Sequence, residues 1–111
     1  MSGLRRAAAG RLEERHAVQL SALRLAVLDG PGHVPPETRT AAAFGGPLPE
    51  PAASYVAKVR DHSYRITDND VTALTAAGLT EDEIFELTVA AAVGKALTIL
   101  NAGTRAMRTE G

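Results

Sequence analysis

Between residues 84 and 100 the chain is apolar on nearly every side of a helix, and no other feature constrains it as much. The stretch IFELTVAAAVGKALTIL is interrupted only by Glu86, Thr88, Lys95 and Thr98 among its polar side chains. A helix without a polar face has to be covered on more than one side. The chain is 111 residues long, with 21 alanines and only Phe44, Tyr55, Tyr64 and Phe85 as aromatics. Alanine is the best helix former but buries little area. These properties predict an all-α protein with a thin core of its own, completed by copies of itself in a homo-oligomer.

Hydrophobic spacing and terminus signals divide the chain into helices within one domain, 1–111. Residues 4–29 read as an amphipathic helix on Leu12, Leu20, Leu23 and Val27, with Val18, Leu25 and Leu28 widening the stripe. Asp29–Gly30–Pro31–Gly32 stops it. Residues 30–50 form a Pro/Gly-rich connector in which a short helical piece falls around Glu37–Phe44. The helical core spans 51–107. Its first helix starts near Pro51, whose fixed φ suits a first turn, and carries Val56, Val59, Ser63 and Ile66. Thr67 with Asp70, and Thr80 with Glu83, have capping-box spacing. The first pair starts a helix running to Ala77, closed by Gly78. The second starts the last helix, 81–107. β-Branched residues are scattered rather than alternating, so no strand is expected.

Twelve basic against thirteen acidic side chains exclude a strong field for nucleic acid or an anionic membrane. The local balance is uneven. Arg5, Arg6, Arg11, Arg15 and Arg24 enrich the first 29 residues, whereas 61–86 is acidic. Two readings fit: pairing of one subunit's first helix with another's acidic stretch, or two solvated faces. The chain has no cysteine, which excludes disulfides, thiol nucleophiles and Cys-ligated metals. His16, His33 and His62 lie far apart, so no metal site and no cofactor is expected. Glu86, Thr88, Lys95 and Thr98 break up the longest apolar run, so it is not a membrane span. No signal peptide is apparent, and a cytoplasmic location is the expectation.

The segment SYRITDNDVTALTAAGLTEDEIFELTVAAAVGKALTIL, residues 63–100, resembles the core of the carboxymuconolactone decarboxylase and alkyl hydroperoxidase D-like superfamily. Leu74, Ala77–Gly78, Thr80, Asp82–Glu83–Ile84 and the alanines 90–92 follow that family's order and spacing over about a third of the chain. The resemblance implies a compact helical domain of the alkyl hydroperoxidase D-like type, assembled as a trimer or hexamer. In the family a C-x-x-C-x-x-x-H motif precedes these residues. Counted back from Gly78, its cysteines fall on Ser63 and Ile66 and its histidine on Asp70. Serine and isoleucine can neither attack a peroxide nor resolve a sulfenic acid, so peroxidase chemistry is not expected. Glu50 lies in a proline-rich stretch without a secure match to the family's upstream glutamate.

Two functions from different classes follow. One is a non-redox enzyme or binder that takes a small organic acid or lactone in a pocket between subunits. Its candidate catalytic residues are His62, Ser63, Asp70 and Glu86, with Tyr64 and Asp68 close by. A histidine titrating near neutrality beside carboxylates suits acid–base chemistry. The other is a non-catalytic assembly or partner-binding protein. In that reading Ser63 is a small residue of an apolar stripe and Asp70 a helix cap. Lys58, Arg60 and Arg65, balanced by Asp61, read as a solvated basic face. Glu86, alone in apolar company, is expected to pair with Lys58, Arg60 or Arg65. Gly45–Gly46–Pro47 is a turn, since no lysine and helix start follow it as in a phosphate loop.

Overall fold

The computed structural model describes residues 24–110 and, before them, Arg15, Val18, Gln19, Ser21 and Ala22. Among the described residues there is no strand, and the fold is all-helical. Most of the expected helix 4–29, including Leu12, Leu20 and Leu23, lies outside the described residues. Its described positions are helical, and it ends in a wider π-helical turn, Leu25–Asp29. Leu28 is fully buried there, whereas Val18 is 70% exposed and does not extend the core stripe.

Four α-helices follow: α1 (Pro36–Phe44), α2 (Ala52–Asp61), α3 (Asp68–Ala76) and α4 (Glu81–Glu110). The short piece expected inside the connector is thus a full helix. Proline opens it, and Gly45 closes it in the left-handed region at φ 76°. The helix expected to run from Pro51 through Ile66 ends at Asp61 instead. His62 takes an extended φ of −147° and leads into a 3₁₀ turn, Ser63–Arg65. Consequently Ser63 leaves the stripe of Val56 and Val59 and is exposed, whereas Ile66, though outside that helix, still packs against the same core.

Both capping boxes form as the sequence predicts. The Thr67 N–H donates to Asp70 Oδ2 at 2.8 Å and opens α3. Thr80 N–H donates to Glu83 Oε1 at 3.0 Å while Glu83 N–H returns a bond to Thr80 Oγ1 at 3.2 Å, opening α4. Three carboxylates in the first turn of α4 also complement the positive end of its dipole. Between these helices, Gly78 at φ 99° lets the Leu79 N–H reach back to the Leu74 carbonyl at 3.1 Å. That bond ends α3 and seats Leu74 in the core.

α4 is the spine of the molecule, 30 residues long and about 45 Å at 1.5 Å per residue. Small residues let α1 lie tightly against it: Ala42 and Ala43 meet Ala90 and Ala91 in the buried core. Gly94 is buried too, so close to the backbone of Ala43 that a Cβ there would overlap the Ala43 carbonyl. Alanine richness therefore serves backbone proximity within one subunit, through many dispersion contacts at short range. α2 also packs against α4. Tyr55 Oη and Thr88 Oγ1 lie 2.7 Å apart, and the Thr88 hydroxyl donates to the Ile84 carbonyl at 2.7 Å.

Candidate functional site

The four candidate site residues fall on two different parts of the fold. His62, Ser63 and Asp70 sit at the corner where α2 passes through the 3₁₀ turn into α3, and Glu86 sits one turn into α4. At the corner, His62 and Ser63 are exposed. The His62 ring meets Tyr64 edge-on at 5.9 Å between centroids, with the Tyr64 hydroxyl 3.3 Å from His62 Nδ1. Tyr64 is itself 76% exposed, so this pair stands in water. Asp70 is the organised member. Its Oδ1 accepts from Lys58 Nζ at 2.7 Å while its Oδ2 serves the capping box. The Lys58 ammonium first, then the Thr67 N–H, hold the Asp70 carboxyl below its ordinary value. A carboxylate so engaged stays ionised and ties α2 to α3. It is poorly placed to take a proton from a substrate.

Lys58, Arg60 and Arg65 do not form one solvated face. Lys58 pairs with Asp70, and Asp61 pairs with Lys95 of α4 at 3.2 Å. Arg60 tucks beneath the Gly45 turn, and its Nε is buried without a partner among the described residues. Arg65 lies over the Tyr64 ring, 5.7 Å from its centroid.

Glu86 pairs with none of these three cations. Its Oε1 accepts the His33 N–H at 2.8 Å and its Oε2 the Val34 N–H at 2.7 Å. Burial opposes ionisation of this carboxyl, but the two backbone N–H groups, reinforced by His33 and Arg39, outweigh it and set the group below its ordinary value. The expected salt bridge to Lys58, Arg60 or Arg65 is absent because the loop 30–35 supplies main-chain donors, which carry no signature in side-chain type. Gly32 passes so close to Glu86 that a Cβ there would strike the carboxylate.

Arg39 completes the arrangement from below, and its sequence context gave no hint of it. It is 3% exposed. Its Nη1 donates to the Val27 carbonyl at 2.9 Å and its Nη2 to the Gly30 carbonyl. Arg39 thus takes the carbonyls that end the N-terminal helix, while Glu86 takes the amides of the loop that follows. The two charges hold one connector from its two polar sides. His33 adds an exposed contact, Nε2 to Asp82 Oδ2 at 3.6 Å. Among the described residues no three His, Asp or Glu side chains gather as a metal ion would require.

One surface carries no such internal explanation. Residues recur about every 100° around α4. With Gly94 facing α1, the opposite side presents Phe85, Ala92, Ala96, Ile99 and Gly103, all exposed. Phe85 is 68% exposed, Ile99 59%, Leu100 50% and Met107 65%. After Leu97, none of the residues through Arg108 is buried. No helix of the described residues is long and apolar enough to cross a membrane.

Comparison of the chain with protein-family models, with curated proteins and with solved structures returned no match. The class that fold and surface define is an all-helical domain organised on one long, two-sided helix.

Proposed function

We propose that this chain is a non-catalytic assembly protein that acts by associating with copies of itself through the outer face of α4. The observation that carries this reading is the continuous exposed apolar strip running from Phe85 to Met107. Contiguous apolar surface of this extent marks an interaction site in soluble proteins. The polar residues that acid–base chemistry would use support the same reading. Asp70 and Glu86 each spend both carboxylate oxygens on helix caps, an ion pair and a loop. His62 and Ser63 face water.

The test is mass against concentration by light scattering. The wild-type chain is expected to be oligomeric at micromolar concentration. Ile99→Glu, which places a charge in the middle of the strip, is expected to give monomers with unchanged helical content. A wild-type monomer at every accessible concentration refutes the proposal.

The pocket reading, a cysteine-less carboxymuconolactone decarboxylase-like protein binding a small organic acid or lactone between subunits, is the second proposal. It is favoured by one feature, the order α3, Gly78 turn, acidic start and alanine-rich α4. A rise in melting temperature on adding such acids, abolished in Asp70→Asn, would support it over the first. The absence of any shift across a panel of small acids and lactones counts against it.

A further inference from the structure

Resting on the assembly reading, we infer that two copies pair through α4 in an antiparallel sense, with Phe85 of each chain seated over Gly103 of the other. The exposed strip is not uniform. It carries its bulk at one end, in Phe85, and its smallest residue at the other, in Gly103, beside which a Cβ would meet open space. Between them lie Val89, Ala92, Ala96 and Ile99, on the same face at helical spacing. Reversing one copy so that Phe85 meets Gly103 also sets Val89 against Ile99 and Ala92 against Ala96. Phe85 then lies over the bare Gly103 at each end and alanine meets alanine in the middle, which lets the helices approach closely, while Val89 and Ile99 pack as two branched side chains between these levels.

A parallel pair fails on both packing and charge. It would stack Phe85 on Phe85 and leave a void between two copies of Gly103. It would also bring the carboxylates of Glu81 and Asp82, the two acids of the first turn that lie toward the strip, alongside the same two from the partner. In the antiparallel pair these acidic starts lie at opposite ends of the dimer. The uncovered area fits a second copy. Phe85, Ile99, Leu100 and Met107 leave on the order of 500 Å² of side chain in water, already at the level of the largest patches on monomers. The alanines, Val89 and Gly103 carry the strip toward the ~800 Å² per partner of a standard specific interface.

The chain contains no cysteine, so introduced thiols report without background. Two variants, Phe85→Cys and Gly103→Cys, are oxidised separately and as a mixture, then run on a non-reducing gel beside a light-scattering mass of each. Residues 85 and 103 of one helix are about 27 Å apart at 1.5 Å per residue. In the antiparallel pair each introduced thiol is therefore too far from its own copy for a disulfide, which needs Cα atoms within about 7 Å. Cross-linked dimer in the mixture, at least tenfold above either variant alone, is the expected result. Val89→Cys with Ile99→Cys repeats the test at the middle of the strip should either first variant lose its helical content. Cross-linking of Phe85→Cys with itself overturns the antiparallel arrangement. An oligomer by mass that forms no cross-link in either mixture overturns the α4 pairing while leaving self-assembly standing. A monomer by mass removes the inference and the assembly reading together.

Discussion

Gly94→Ala tests the packing on which the rest of the structure depends. Glycine inside a helix is ordinarily a liability, and replacing it with alanine at an open position stabilises by about 0.5–1 kcal/mol. At Gly94 the sign is expected to reverse. The new methyl would fall within bonding-like range of the oxygen, carbon and Cα of Ala43, all backbone atoms that no rotamer change can move. Relief requires α1 to back away from α4 by an ångström or more. That movement loosens Ala42, Ala43, Ala90 and Ala91, all fully buried. Overpacking of a tight interior costs typically 1–3 kcal/mol, and a clash with backbone belongs at the upper end. After subtracting the helix-propensity gain, a net loss of about 2 kcal/mol is expected, a fall in melting temperature of roughly 10 °C for a domain of this size. Thermal unfolding followed by circular dichroism measures it. Ala43→Gly in the same chain should give no rescue, because the obstruction is the carbonyl and not the Ala43 side chain. A variant as stable as the wild type, or one restored by Ala43→Gly, refutes the close α1–α4 approach.

Three further outcomes follow. Glu86→Ala removes the acceptor of the His33 and Val34 amides and should destabilise by about 1–2 kcal/mol in urea unfolding, with Glu86→Gln retaining part of the loss because one oxygen remains. Asp70 and Glu86 both have lowered folded-state values, so the stability they contribute is complete above their ordinary values near 3.8 and 4.5 and disappears as pH falls through the folded ones. Urea midpoints should therefore drop below about pH 4.5, and the drop should be smaller in the Asp70→Asn, Glu86→Gln double variant; an equal drop contradicts the assignment. Tyr55→Phe leaves the Thr88 hydroxyl bonded to Ile84 and should cost only about 1 kcal/mol, whereas a loss several times larger would mean that Tyr55 Oη has a second role.

The helix starts and stops of the core were legible because they are local. A capping box needs only Thr67 and Asp70, or Thr80 and Glu83, at a spacing of three, and a left-handed stop needs only a glycine such as Gly78. The apolar circumference of α4 was equally plain, since periodicity is a property of one segment. The candidate site was less legible. Asp70 was singled out and proved to be the organised member of its corner, but its Lys58 partner comes from a different helix. Glu86 was rightly expected to need a partner, yet the partner was main chain. Arg39 gave no signal, because a buried arginine whose Nη1 and Nη2 bond to carbonyls looks in sequence like any other arginine in a short helix.

By itself, then, the sequence determined the helical class, both capping boxes, the lack of thiol chemistry and the apolar circumference of α4. Only the tertiary structure decided which side is covered from within. Gly94 turns inward because α1 brings backbone, not side chain, to that face, and Phe85 and Ile99 are left outward as a result. Caps and periodicity are set by neighbours in the chain, whereas burial of one helix face over another depends on which distant segment arrives there, and no single segment encodes that.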